Sequence, residues 1–335
     1  MAVDFPVKAI HGGTGKRQRE KTRKNVLDFS ASTNPFPPKV NWEPDLHLLE
    51  YYPDDYYAKL KERIGSIFHR DIAEICVGNG SIELIRVFCS VVFRNRISRN
   101  RFYLQSPTFG EYELSARLSG ATPTIIPSDA GVYFLCNPNN PTGLLTKKEK
   151  TLALLDEMKY HKGILFCDEA FIELSDPSQS VADISDPGLF VLRSLTKSFA
   201  VPGIRFGYGF GEPALIEKIE TARSPWSVNA FAESYALEAL GHMDELEGSR
   251  SAIERERHWL SSAISALGLR RYPSSANYIL VECGQDASSL CDELIRKDIL
   301  VRDCTSFGLP TSIRIAVRTH EENIHLIEAL AACVR

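Results

Sequence analysis

Three short apolar runs that each stop on polar residues constrain this chain more than any other feature. They are Gly131-Val-Tyr-Phe-Leu-Cys136 before Asn137-Pro-Asn-Asn-Pro141, Gly163-Ile-Leu-Phe-Cys167 before Asp168-Glu169, and Leu189-Phe-Val-Leu-Arg193 before Ser194-Leu-Thr-Lys197. From about residue 70, such runs alternate with helical stretches, which is how the strands of a mostly parallel α/β sheet read. In an open α/β sheet the ligand crevice lies beyond the carboxyl ends of the strands, so the three polar clusters are expected to converge on one site.

Composition supports a small-molecule site. A chain of 335 residues, 44% hydrophobic, can bury one large core and a smaller one. Lys and Arg number 39 against 43 Asp and Glu, which argues against a nucleic-acid binder held by phosphate contacts. The longest apolar stretches, such as Val87 to Phe93, are too short to cross a bilayer, and the N-terminus lacks an apolar signal core, so a cytoplasmic protein with no membrane partner is expected. None of the eight cysteines forms a C-x-x-C pair, and they read as reduced structural thiols.

Residues 1–40 are irregular and read as an arm or lid that packs with a small domain. They hold His11-Gly-Gly13, a basic run from Lys16 to Lys24, which reads as solvated, and Asn34-Pro-Phe-Pro-Pro38. Residues 41–235 form the expected large domain. A long helix is expected from about Ala230 through Leu267, broken near Gly241, leading into a small α/β domain over 236–335. Its strands are expected at 277–282, 299–302 and 312–317, and two of them carry an arginine, Arg302 and Arg314, inside an apolar run.

Ser194-Leu-Thr-Lys197-Ser-Phe-Ala-Val-Pro-Gly203-Ile-Arg205-Phe-Gly207-Tyr208 is the most specific segment. A lysine at a strand end in a semi-buried crevice loses its proton readily, and the neutral amine is a nucleophile toward an aldehyde. Ser194 and Arg205 are suited to hold a phosphate, the arginine as a forked double donor. The segment resembles the cofactor-lysine segment of fold type I pyridoxal-phosphate (PLP) enzymes. That resemblance implies an α/β fold with a large, mostly parallel sheet domain and a smaller C-terminal α/β domain, with Lys197 carrying PLP. It implies that Asp168 pairs with the pyridine nitrogen and serves catalysis with Lys197, and that Asn140, in Asn137-Pro-Asn-Asn140-Pro-Thr-Gly143, donates to the ring hydroxyl. Gly80 and Ser81 of Gly78-Asn-Gly80-Ser81 can present backbone N–H groups to a phosphate at a helix start. The resemblance further implies that Phe109 of Ser106-Pro-Thr-Phe109-Gly-Glu-Tyr112 stacks on the ring. It implies that Tyr52 of Tyr51-Tyr52-Pro53-Asp54 reaches the phosphate of a neighbouring subunit, and so a homodimer with its site at the interface. Singly, each has an ordinary reading as a cap, a turn or a core aromatic.

The order of these segments most resembles the branch that holds histidinol-phosphate aminotransferases and threonine-phosphate decarboxylases, with the finer match to the decarboxylases. The supporting segments are His11-Gly-Gly13, Asp28-Phe-Ser-Ala-Ser-Thr-Asn-Pro35, Asp168-Glu-Ala-Phe171, Leu192-Arg-Ser-Leu-Thr-Lys197 and Ser224-Pro-Trp-Ser-Val-Asn-Ala230. Phe171 stands where the aminotransferases commonly have a tyrosine. The resemblance implies a phosphorylated amino acid, L-threonine O-3-phosphate, decarboxylated to (R)-1-amino-2-propanol O-2-phosphate for cobalamin assembly. Arg314 would hold the carboxylate and Arg302 the phosphate, with His11, Gly12, Asn34 and Asn140 around the substrate; Arg318 has no task, and no metal is implied. The alternatives are a histidinol-phosphate-type aminotransferase and a catalytically silent PLP-fold binding protein. A nucleotide module lacks its G-x-x-x-x-G-K-[ST] pattern.

Overall fold

In the computed structural model, which describes residues 6–22, 25–94 and 99–334, the three apolar runs are the central strands of a seven-stranded sheet. In chain order the strands are β1 (Leu27–Asp28), β2 (Ile75–Gly78), β3 (Arg101–Leu104), β4 (Thr122–Pro123), β5 (Val132–Cys136), β6 (Ile164–Asp168) and β7 (Leu189–Ser194). They continue with β8 (Gly207–Phe210), β9 (Arg270–Arg271), β10 (Tyr278–Glu282), β11 (Ile299–Leu300), β12 (Arg302–Asp303) and β13 (Ser312–Ala316). The large sheet runs β2-β8-β7-β6-β5-β3-β4, parallel except for β8, which is antiparallel to both neighbours. This matches the fold expected from the sequence.

Both sheet faces are covered, which is why these strands read as continuous apolar runs rather than alternating ones. Leu165, Cys167 and Val191 pack on one side with Val77 and Phe206, while Phe134, Phe166, Phe190 and Leu192 pack on the other against Phe88 and Ile85. Each buried phenylalanine contributes about 1.5–3 kcal/mol relative to exposure. Register then aligns the polar ends: Cys136 lies opposite Asp168, and Asp168 opposite Leu192. Gly207 lies opposite both Gly78 and Ser194, which brings the turn after β2 to the end of β7.

A second, antiparallel sheet runs β12-β13-β10-β9 over its own core of Leu260, Ile264, Ile279, Val281, Ile313, Ile315 and Leu326. Helices Ala230–Ala239 and Leu246–Ala266, separated by a 3-10 turn at Leu240–His242, lead into it, so the break falls where it was expected. The expected strand over 299–302 is divided. Its first half, β11, pairs in parallel with β1, and its second, β12, pairs with β13.

The N-terminal segment is more ordered than expected. Phe29 is buried in the core of the second sheet, and Gly15–Thr22 is a helix where only irregular chain was expected. Asp28 Oδ2 accepts the Gly15 N–H at 3.1 Å, so a tertiary contact holds the helix start. Lys16 and Arg17 on it are exposed, while Arg23 and Lys24 of the basic run lie outside the described residues. No described helix is long and apolar enough to cross a membrane. All eight cysteines are unpaired and seven are buried.

Candidate active site

The carboxyl ends of β5, β6 and β7 open into a cavity of about 400 Å³. Lys197 enters it from the short helix Leu195–Ser198, which continues directly from β7. Its amine has no hydrogen-bond partner among the described residues and sits 5.8 Å from the Phe171 ring centroid. Burial lowers its pKa to about 8, the positive charges of Arg314 and Arg205 push the same way, and Asp168 opposes them.

Asp168, the last residue of β6, is buried, and burial raises its carboxyl pKa to about 6. Two hydrogen bonds oppose the rise: Tyr112 donates its hydroxyl to Oδ2 at 2.7 Å, and the Ala170 N–H donates to Oδ1 at 2.9 Å. A buried carboxylate with this shift and without an ion pair would be stabilised by a cationic ring N–H. An unpaired, easily deprotonated amine would be suited to an aldehyde. On these two side chains the cavity fits PLP.

The other end of the cavity suits a phosphate. Gly80 has φ +76° and precedes the helix Ser81–Phe93, whose first residues line the wall. A Cβ on Gly80 would lie 2.3 Å from Arg205 Nη2, and one on Gly207 would lie 2.5 Å from the Ser81 nitrogen. These two glycines therefore let Arg205, the helix start and Ser194 approach one another. Ser194 Oγ lies 2.8 Å from Thr196 Oγ1 on the same wall.

Arg314 and Arg302 face the cavity from β13 and β12. Arg314 donates to Asn140 Oδ1 and to the Ser30 carbonyl at 2.9 Å, and its guanidinium lies 5.0 Å from the Tyr278 ring centroid. With Oδ1 so used, Asn140 Nδ2 is the group left to donate into the cavity. Arg302 donates to the Ile10 carbonyl and to Ser306 Oγ, both at 2.7 Å. Burial lowers the pKa of both arginines. The arm closes this side. His11 Nε2 lies 2.8 Å from Glu111 Oε1, and Gly12 passes so close to the bend after β1 that a Cβ would sit 2.5 Å from the Ser30 oxygen.

The structure thus brings together His11, Gly12, Ser81, Phe109, Asn140, Asp168, Ser194, Lys197, Arg205, Arg302 and Arg314 around one cavity, with Gly80 directly beneath Arg205. Asn34 is not at the cavity, and Tyr52, expected to serve a neighbouring subunit, lies outside the cavity of its own chain. Asn34 is buried away from the cavity, where Nδ2 donates to the Ser198 carbonyl at 2.7 Å and Oδ1 accepts the Phe36 N–H at 2.8 Å. Its amide braces the lysine-bearing turn and is not free to close over a ligand. Tyr52 is 78% exposed and stacks on Trp226 outside the cavity. Phe171 lines the cavity and meets Tyr278 edge to face. Arg318 binds the Asp28 carbonyl and Glu322 and acts as a brace.

Sequence reasoning missed Tyr112, Glu111 and Tyr278. Tyr112 stood three positions after Phe109 in a segment already singled out, and a polar aromatic at the start of a helix was the available signal. Glu111 carried none, because its partner His11 lies 100 positions away.

The profile of the family described as Aminotransferase class I and II matches residues 25–330. A histidinol-phosphate aminotransferase of Symbiobacterium thermophilum is 30% identical, covering 95% of this chain and 93% of its own. A Caldanaerobacter subterraneus protein named provisionally as a threonine-phosphate decarboxylase is 33% identical, covering 91% and 92%. The solved histidinol-phosphate aminotransferase of Clostridium acetobutylicum, 29% identical, superposes with a TM-score of 0.81 over 92% of this chain and 98% of that one. The Sinorhizobium meliloti histidinol-phosphate aminotransferase, solved with pyridoxal-5'-phosphate, superposes at 0.82 over 99% and 96% with 19% identity, which bears on the fold.

Proposed function

The chain belongs to the aminotransferase class I and II family, whose cofactor is PLP, and on that premise we propose that it decarboxylates L-threonine O-3-phosphate to (R)-1-amino-2-propanol O-2-phosphate. One observation supports the reading above others: with Arg205 assigned to the cofactor phosphate, two further arginines, Arg302 and Arg314, remain buried at the same cavity. Neither has a carboxylate hydrogen-bonded to it among the described residues, and a buried guanidinium is stabilised by an anion. A substrate with a carboxylate and a phosphate uses both. Histidinol phosphate carries only the phosphate.

In this reading Lys197 holds the cofactor aldehyde, Asp168 the ring nitrogen, Asn140 the ring oxygen and Phe109 one ring face. Ser81, Ser194, Arg205 and the Gly80 turn hold the phosphate, with Tyr52 of a second copy completing the site in a homodimer. When bound, PLP supplies an electron sink for the pair left on Cα. Arg314 would take the substrate carboxylate and Arg302 its phosphate, and together they would set which substituent of Cα is presented for cleavage. With the carboxylate so placed, the Cα–carboxylate bond breaks, CO2 leaves and the electron pair stays on Cα. Lys197, freed when the substrate amine takes its place at the aldehyde, would deliver as its ammonium the proton that replaces the carboxylate at Cα. His11 and Phe307 line the cavity on the side of the arm.

The second reading is a histidinol-phosphate-type aminotransferase, favoured by the named relatives and by the fit of the same arginine pair to a dicarboxylic amino donor. The test is to incubate the PLP-loaded enzyme with L-threonine O-3-phosphate and, separately, with histidinol phosphate and 2-oxoglutarate. CO2 release in the first mixture is the expected result. Rapid glutamate formation in the second, without CO2 in the first, overturns the proposal.

A further inference from the structure

Asp168 and Phe109 approach the cavity from different elements, one from the end of β6 and the other from the loop before the helix Glu111–Leu118. Tyr112 touches both. Its hydroxyl donates to Asp168 Oδ2 at 2.7 Å, and its ring meets Phe109 edge to face, with centroids 5.5 Å apart. The ring has little freedom: Tyr112 is fully buried and lies flat on Phe134, with centroids 5.4 Å and planes 9° apart, while Phe166 closes another side. A ring wedged this way holds its hydroxyl oxygen in one place, beside Asp168.

We propose that Tyr112 is a positioning residue of this site, whose hydroxyl fixes the Asp168 carboxylate and whose ring fixes Phe109. The two groups that would hold the cofactor ring, one at its edge and one on its face, then take their placement from a single side chain. The inference rests on the reading of Asp168 and Phe109 as cofactor residues.

The hydrogen bond also sets charge. Asp168 is surrounded by Cys136 on β5, Lys197 after β7, Tyr278 on β10 and its chain neighbour Glu169, which turns to the opposite sheet face to meet Arg193. Lys197 favours the ionised carboxylate, but the two make no direct ion pair, and Glu169 disfavours it. The Tyr112 hydroxyl is the side-chain donor at Asp168, and it favours the ionised form. Without it, burial goes less opposed and the carboxyl stays protonated to higher pH. A protonated Asp168 has no charge to offer a cationic ring nitrogen.

Tyr112→Phe deletes the hydroxyl and keeps the packed ring. In the cofactor-free chain labelled with carboxyl-13C aspartate, the Asp168 signal, assigned by its loss in Asp168→Asn, is titrated by NMR. Its midpoint is expected to rise by about one pH unit in Tyr112→Phe, a tenfold change for one lost hydrogen bond to a charged group. In the PLP-loaded chain the first-order rate of cofactor loss at pH 7 should rise about tenfold, while Tyr112→Leu, which also frees Phe109, should raise it further. An unchanged midpoint and loss rate in a normally folded Tyr112→Phe overturns the proposal. Failure of the underlying reading looks different: Asp168→Asn would then lose PLP no faster than wild type, even though the Tyr112→Phe midpoint still moved.

Discussion

Arg314 on β13 and Asn140 in the turn after β5 are joined side chain to side chain across 174 positions of sequence. The bond ties the second sheet to the large one at the cavity wall, and it joins the proposed substrate anchor and the proposed cofactor contact as one unit. The Tyr278 hydroxyl reinforces the link by donating to the Asn139 carbonyl at 3.0 Å.

Arg314→Met should therefore damage two functions at once, removing the anchor's charge and leaving Asn140 without its partner. Truncating one partner of a buried charged hydrogen bond costs about 2–5 kcal/mol, so kcat/KM on L-threonine O-3-phosphate should fall roughly thirtyfold or more. A loss below about threefold in steady-state assays would remove Arg314 from the substrate site.

Lys197 must be neutral to attack an aldehyde. Because its pKa is lowered from 10.5 to about 8, the rate of PLP uptake by the cofactor-free chain should climb about tenfold per pH unit below that midpoint and level off above it. Stopped-flow absorbance measures this directly. A rate still climbing at pH 10 would contradict the lowered pKa, and Lys197→Ala should show no uptake band at any pH.

Asp168 imposes a cost on the cofactor-free fold. Its folded pKa is raised from 3.8 to about 6, so the folded chain binds the extra proton between these values and loses stability as pH rises through that window. The cost is fully present at neutral pH and vanishes below the unfolded value. Cofactor-free Asp168→Asn should thus be more stable than wild type by about 3 kcal/mol at neutral pH, shrinking toward zero near pH 4. Urea unfolding at the two pH values checks this.

Gly80→Ala tests the phosphate end without altering a charge. The new methyl would meet the Arg205 guanidinium at 2.3 Å on a backbone with φ +76°. Displacement of Arg205 should weaken PLP binding by about tenfold or more, since hydrogen bonds to charged groups contribute about 1.5–3 kcal/mol. Equilibrium dialysis of the variant against PLP gives the value.

Tyr52 is exposed on one copy, so a role at the phosphate requires a second. Tyr52→Phe should hasten cofactor loss several-fold while changing nothing in a single copy's fold, and the wild-type enzyme should sediment as a dimer. Cofactor retention that is equal in variant and wild type would remove Tyr52 from the site.

Much of this architecture was legible in sequence because it is local. Apolar runs of strand length, ended by Asn137, Asp168 and Ser194, reflect two-sided burial and polar strand ends at the crevice, and both leave their mark in consecutive residues. Lys197, Asp168 and Asn140 follow from those ends. The helix at Gly15–Thr22 was not legible, because Asp28 holds it through a tertiary contact and its own composition shows no apolar face.

The sequence by itself determined the three central strands of the large sheet, the polar residues at their ends and the lysine that enters the cavity beside them. Only the tertiary structure decided how that cavity is finished. Packing turned the Asn34 amide inward to brace the Lys197 turn, left Tyr52 outside, set Tyr112 against Asp168 and brought His11 to Glu111. The physical reason is that a strand's burial pattern is written in its neighbours along the chain. The partner of a buried hydroxyl or carboxylate is chosen by whichever element packs against it, often a hundred residues away.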